Sequence, residues 1–426
     1  MANNFDSNFS RKVMRSFLDK FESERVLTKN VDTQLFAGKF NGSTGDTIDV
    51  KRPTDYNTVR TSTGDVSGET KSDIITGKAS AVVQDYFTVF VDYAEADEAI
   101  KMDQLDQLLA PMATRIVTDF ETDYAKFMME NTGLLSGSVG TAIGAGGDAW
   151  GDVAEAGAIM QSTGVPMDDR WCYAVNAFAQ RKLAGDQRSL GGETGAMTAN
   201  QRATITDNFA GMRVMTATTL NNYTTSAGAD REGTVVGTPV ATYVAAKDSM
   251  TQVIGVTGFE ANLVVKAGET IKVTGRHRLN LSTRLPIIDD TGSQIEWTAT
   301  VTTDVTLGAS GEGNLTVTGP AINEANGQYN TVDTAIQAGD VVTLGGNAST
   351  IIQPNLFWHK QAFTVASVPI KKLHSTDTVA TTEDGLQLRV SKGVGFLENE
   401  QKVRIDFRPA YGVMNPFFAG QGFGNP

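Results

Sequence analysis

At 426 residues the chain exceeds what one compact core accommodates and fits two or three domains. Its 40% hydrophobic and 20% charged residues are the balance of a folded, soluble protein and exclude a disordered or fibrous chain. A net charge of -13 repels phosphate backbones, which argues against tight or sequence-reading nucleic-acid binding, yet suits a basic partner or a wall that merely encloses nucleic acid.

The single cysteine, Cys172, has no internal disulfide partner and reads as a small core residue of a reducing compartment. Met1 to Arg15 lacks the apolar stretch of a signal peptide, and no window approaches 18 apolar residues, so neither export nor a membrane span is expected. Asn-x-Ser/Thr triplets such as Asn41 to Ser43 then carry no glycosylation meaning.

In chain order, Phe9, Val13, Phe17 and Phe21 recur at four-residue steps, with Arg11, Lys12, Arg15, Asp19, Lys20 and Glu22 around the rest of the turn. The spacing predicts an amphipathic helix whose apolar face packs on the subunit's own core or on a neighbour. From Phe40 to Tyr93 the texture is β, with short runs at Thr47–Val50 and an alternating Phe87, Val89, Val91, Tyr93. Between them, Thr54 to Lys78 is polar and glycine-bearing, and predicts an extended hairpin projecting from the body.

Leu105, Leu108, Met112, Ile116, Phe120 and Tyr124 continue at three- and four-residue steps to Met128 and predict a helix of about 30 residues, kinked or split near Leu108 by Pro111. After the Gly-rich Gly133 to Gly147 comes an α/β region. It has a helix from Asp148 carrying Trp150, Val153, Ala156 and Met160, a strand at Trp171 to Val175, and a short helix ending at Gly185.

From about Asn222 to Gly346, short Thr/Gly/Val runs separated by turns predict an inserted all-β barrel or sandwich. Two stretches echo each other, beginning at Ala267 and Ala338, each a glycine turn feeding a short strand. After Pro354 strands return at Phe357 to Pro369, Leu386 to Val390 and Val403 to Phe407.

Chemistry-bearing patterns are sparse. Gly144, Gly146 and Gly147 lack the Gly-Lys-Ser/Thr or the strand-to-helix glycine fingerprint of a phosphate cradle. His277, His359 and His374 stand alone, without metal-ligand spacing, and read as structural or exposed. Asp289 and Asp290 before Gly292 and Glu296 faintly suggest a calcium loop but lack its alternating oxygens, so a turn is expected. Acidic pairs such as Asp168 with Asp169 and Glu398 with Glu400 read as solvated loop carboxylates. No catalytic residue, cofactor or metal is assigned, and no enzyme is expected.

The order of amphipathic arm, projecting hairpin, long helix, α/β region interrupted by a barrel, and returning strands resembles tailed-bacteriophage major capsid proteins of the Hong-Kong-type fold. More narrowly it is similar to short-tailed-phage (podovirus) coat proteins with an inserted domain, through DDRWCYAVNAFAQRKLAG (Asp168 to Gly185), NLFWHKQAFTVASVPI (Asn355 to Ile370) and RPAYGVMNP from Arg408. The resemblance implies an α+β fold with an N-terminal arm at 1–35. A peripheral domain would take 36–131, with an E-loop at about 52–80 and a spine helix at about 97–131, and 396–426 would return to it. An axial domain would take 132–221 and 352–395, and an inserted β-barrel 222–351.

The resemblance further implies a virion protein assembled in the host cytoplasm. Subunits would form pentamers and hexamers with a scaffolding protein and a portal protein, in an icosahedral procapsid that matures around double-stranded DNA without sequence-specific binding or membrane contact. Scaffold contacts would fall on the arm acids Asp6, Asp19, Glu22 and Glu24, although this arm also carries Arg11, Lys12 and Arg15. Contacts between subunits would fall on Arg52, Arg60, Asp65, Glu69 and Lys71 of the E-loop, each exposed pair contributing about 0 to 1 kcal/mol. Two other readings remain at this point: an encapsulin-like compartment shell, and a cytoplasmic protein that binds a ligand in its β-barrel.

Overall fold

The structure is a computed structural model, and it describes residues 6–35, 40, 45–94, 105–168, 170–190, 202, 205, 208–240, 242–325, 327–374, 377–395 and 400–425. The chain divides into two compact units, one of Met1–Asp49, Ser80–Ala125 and Phe363–Val413, the other of Val50–Ala79, Lys126–Ala362 and Met414–Pro426.

The first unit starts with helix α1 (Asp6–Glu24), followed by strands β1 (Thr47–Lys51), β2 (Lys78–Val83) and β3 (Phe87–Ala94) and the long helix α2 (Leu105–Glu130), whose last turn belongs to the second unit. On α1, Met14, Phe17 and Phe21 are buried in their own unit, while the side chains of Phe9 and Val13 lie outside the described residues. Phe21 is fully buried, 5.4 Å from the Phe407 ring and 6.2 Å from the Phe120 ring, and Phe120 meets Phe407 edge-on at 4.8 Å. Each such fully buried ring contributes about 1.5–3 kcal/mol from its area, and edge-to-face pairs add about 0.5–1.5 kcal/mol.

The split expected at Pro111 does not occur, and α2 runs unbroken from Leu105. Pro111 is exposed in the second turn, so its missing N–H forfeits a single backbone bond while buried Met112, Ile116, Phe120 and Tyr124 carry the packed stripe onward. Residues 97–104 of the expected helix lie outside the described residues.

Strands β17 (Phe363–Ser367), β18 (Thr378–Thr381), β19 (Gln387–Gly395), β20 (Glu400–Phe407) and β21 (Pro409–Val413) complete this unit in two four-stranded sheets, ordered β1-β2-β21-β17 and β18-β19-β20-β3. The boundary between the two units falls at Phe363. The reason is pairing: β17 bonds to β21 along its length and β19 to β20 from Leu388↔Phe407 to Gly395↔Glu400.

In the second unit, β4 (Leu134–Leu135), helix α3 (Ala149–Thr163), β5 (Trp171–Val175), helix α4 (Ala177–Leu190), β6 (Arg213–Thr216), β16 (Ile351–His359) and β22 (Ala419–Asn425) form an α/β layer. Its sheet runs β4-β22-β16-β5-β6, with β5 and β6 parallel and every residue of β5 buried, the signature of a strand covered on both faces. Asp148 caps α3 by accepting the Gly151 N–H at 2.7 Å, and Gly164 ends it at φ +101, a conformation that suits glycine. Trp150, expected on the apolar face, is 46% exposed. The second helix does not end at Gly185: Gln187 beyond it is buried like Leu183 and Ala184 before it, so packing carries the helix on to Leu190.

The β-rich stretch closes into a six-stranded barrel of β8 (Glu232–Val235), β9 (Thr251–Thr257), β11 (Thr270–His277), β12 (Glu296–Val301), β14 (Gly313–Thr318) and β15 (Val341–Leu344), in the order β11-β12-β14-β9-β8-β15. The two echoing stretches are neighbours in it: β11 pairs antiparallel with β15 through Ile271↔Leu344. Trp297, Ile254, Leu315 and Val342 are among the side chains that fill the lumen. The insertion has a neck, where β7 (Tyr223–Thr224) pairs with Ile351 and Ile352 of β16, and the Thr225 hydroxyl donates to the Asn347 carbonyl at 2.6 Å. The expected α+β fold with an inserted all-β barrel is therefore present.

Candidate functional site

The acids singled out on the arm differ in availability. Asp19 is exposed on α1. Glu22 accepts the backbone N–H of Glu383 at 3.1 Å and Glu24 accepts the Thr114 hydroxyl at 3.1 Å, so both already serve their own unit. Asp6 opens the helix, and its side chain lies outside the described residues.

The excursion between Lys51 and Lys78 has the two ends of a hairpin but no strand ladder. Its root is closed by the Arg52 N–H on the Gly77 carbonyl at 2.9 Å and the Asn57 N–H on Ser72 Oγ at 2.9 Å. Pro53 and the glycines withhold the regular donors and side chains that a ladder needs. Arg60, Asp65, Glu69 and Lys71 are exposed and in no ion pair among the described residues. Arg52 instead spends its guanidinium on the carbonyls of Lys78 and Met414, which makes it a root residue. Tyr56, Val59, Val66 and Ile74 are 41–76% exposed along the same segment.

The root is clamped by the insertion. Arg284 donates to Asp55 Oδ2 at 2.5 Å and to the Asn330 carbonyl at 2.8 Å, Gln328 donates to the Asp73 carbonyl at 2.6 Å, and the Tyr329 hydroxyl donates to the Ile75 carbonyl at 3.3 Å. Tyr329 is itself held by stacking on Tyr243, with ring centroids 3.7 Å apart. Sequence reasoning missed this clamp because its members are up to 274 residues apart.

Beside α3 lies a cleft of ≈ 1240 Å³. One wall is the α3 face of Ala154, Glu155, Ala158, Ile159 and Ser162; the other is the 288–296 segment leading into β12. Desolvation raises the Glu155 carboxyl pKa, the like charges of Asp152 and Asp290 add to it, and the Gly137 N–H at 3.3 Å opposes it. Asp289 is held below the usual carboxylate range by the Thr291 hydroxyl and the Thr291 and Ser293 N–H groups, the turn expected there.

The remaining candidates for chemistry are structural. His359 is buried, donates Nε2–H to Asp168 at 3.1 Å and accepts the Gln361 N–H on Nδ1 at 3.2 Å; His277 bonds Asp333 at 2.8 Å; His374 is exposed. Cys172 is 3% exposed and burial pushes its thiol up to about 11, far from reactive. Among the described residues no three His, Cys, Asp or Glu side chains converge as a metal site, and no helix is long and apolar enough to cross a membrane.

The sequence matches the family described as P22 coat protein, gene protein 5, over residues 1–424. The chain belongs to the P22 coat protein family. It is also 36% identical over 432 residues to the major capsid protein of Acyrthosiphon pisum secondary endosymbiont phage 1, covering the whole of both chains. Solved structures it resembles include that of Mycobacterium phage Che8 (TM-score 0.46, 11% identity, 94% of this chain and 91% of that one). Another is the capsid of Cyanophage P-SCSP1u (TM-score 0.42, 11% identity, 91% and 86%). Family membership and the element order above carry the assignment of the Hong-Kong-type capsid fold. The chain is accordingly a phage capsid subunit of the virion and belongs to a structural, non-enzymatic family.

Proposed function

We propose that the chain builds an icosahedral procapsid as pentamers and hexamers, directed by a scaffolding protein and a portal protein, in the host cytoplasm. The shell then matures around double-stranded DNA, held inside without sequence readout. The segments take the parts given by the family's plan: arm 1–35, peripheral domain 36–131 with 396–426, axial domain 132–221 with 352–395, and barrel 222–351. The observation that carries this reading is the full-length match to a coat protein family in a chain whose 52–77 segment exposes Tyr56, Val66 and Ile74, apolar side chains with no core of their own.

A neighbouring subunit covers that segment, with Arg60, Asp65, Glu69 and Lys71 pairing across the boundary, and Asp19 is the arm acid best placed to meet a basic scaffold segment. Many modest heterologous contacts, each weak enough to correct errors, then sum to a stable closed shell. Electron microscopy and sedimentation of the purified chain, alone and with its scaffold over a range of concentrations, test this. Closed shells or capsomer rings are expected; a monomer that persists under both conditions would sink the reading.

A further inference from the structure

Helix α4 is amphipathic, and its outer face has no partner among the described residues. Phe178, Arg181, Lys182, Gly185 and Arg188 recur at three- and four-residue steps and are all exposed, Phe178 by 73%. The inward face is Ala179, Leu183, Ala184 and Gln187. Its one acid, Asp186, is turned to other use, accepting the Trp150 N–H at 3.2 Å as well as that of Ala149. Among the described residues none of the three cations is in an ion pair. A positive strip around an exposed ring is thus displayed by a chain of net charge -13.

The same unit carries the opposite surface. Glu155, Asp289 and Asp290 face the cleft beside α3, while Lys272 there is already paired with Glu296 at 2.5 Å, leaving the cleft negative. Its walls supply apolar area through Ile159, Ile295 and Ile288, the last 62% exposed. No residue of the α4 strip lines the cleft, so the two surfaces are separate and one copy does not satisfy itself.

We propose that the outer face of α4 on one copy docks into the cleft beside α3 on the next copy, the ring of Phe178 against Ile288 and the cations of Arg181, Lys182 and Arg188 against Glu155 and Asp290. Two different complementary patches on one chain make a head-to-tail contact, which closes into a ring when the rotation per subunit divides a full turn. Opposite charges also set the register and disfavour face-to-face pairing of like surfaces. The inference rests on the shell reading above and names a contact that would build the rings.

The test places cysteines at both surfaces of the full chain, Phe178→Cys with Ile288→Cys; the native Cys172 is buried. Mild oxidation of sedimented particles should give a denaturing-gel ladder running past dimer, while each chain with only one of the two introduced cysteines stays monomeric on that gel. Intact particles yielding only monomer or dimer from the double variant would overturn the proposal. In parallel, Arg181→Glu with Lys182→Glu, and separately Glu155→Lys with Asp290→Lys, should each lose particle formation while keeping the parent's circular dichroism, and all four together should regain it. Assembly of both separate reversals at the parent's level would overturn the contact while leaving the shell reading intact. A parent chain that forms no particles takes down the shell reading and the contact with it.

Discussion

Two buried carboxylates of the first unit show how immediate neighbours decide what an acid does. Glu121 is 1% exposed and accepts the N–H groups of Leu27 and Thr28 at 2.7 and 3.0 Å and the Thr28 hydroxyl. These donors are neutral, so burial wins and its pKa rises. Asp406, fully buried, receives Arg389 Nε at 3.0 Å, Arg404 Nε at 2.6 Å and the Thr88 hydroxyl at 2.7 Å. Burial pushes it up, but the hydroxyl and the two guanidiniums outweigh that and hold it below the usual range.

The signs of their linkage are therefore opposite. The contribution of Asp406 is present above its unfolded pKa of about 3.9 and is lost as pH falls through the lower folded value; that of Glu121 is present below about 4.3 and is lost as pH rises through its raised value. Asp406→Ala strands the buried Arg389 guanidinium, Arg404 being half exposed, and should cost about 3–5 kcal/mol. Glu121→Ala strands three donors, at about 1–3 kcal/mol for each that stays unsatisfied. Chemical denaturation at several pH values measures both. Asp406→Asn should flatten the acid side of the stability profile, and an unchanged acid limb would show that the arginines do not act through this carboxylate.

At the scale of elements, the excursion after β1 is held by the insertion rather than by a ladder of its own. Asp55 with Arg284 is the ionic part of the clamp, and half-exposure of the carboxylate limits a double-mutant coupling to about 0.2–1 kcal/mol. The larger consequence is local: Arg284→Ala also removes a donor from the Asn330 carbonyl and should speed amide hydrogen exchange over 72–78, leaving the barrel strands protected. Exchange at the parent's rate in that window would show that Gln328 and Tyr329 suffice. Close packing inside the α/β layer is seen at Gly420, where an added Cβ would come within 2.1 Å of the Phe357 ring, so β22 tolerates no larger residue there without displacement.

At the scale of the whole molecule, a shell subunit differs from a monomer in the surfaces it leaves for others. Arg60 and Lys71 sit exposed on an irregular segment, the form proteases prefer. Trypsin should cut free subunits within 52–77 and spare that segment in assembled particles, as read by mass spectrometry of the fragments; equal cutting in both would mean that no neighbour covers it. Low-salt buffer should strengthen assembly contacts carried by exposed charge and molar salt weaken them, because the screening length falls to about 3 Å at 1 M.

What the sequence alone determined was whatever repeats at short range. The 3.6-residue period of Phe17, Phe21 and of Met112 to Tyr124 specified two helices, alternation specified β3, and short runs between turns specified the barrel strands, because burying one face of a regular element needs only local spacing. The family likeness was legible for the same reason, in runs such as that from Asp168 to Gly185. Tertiary structure decided what depends on partners distant in sequence: that α2 survives Pro111, that α4 continues past Gly185 and so presents Arg188 in line with Arg181, that Glu22 and Glu24 are occupied, and that Arg284 reaches Asp55 across 229 residues. Those outcomes follow from burial and pairing between segments that a local pattern does not encode.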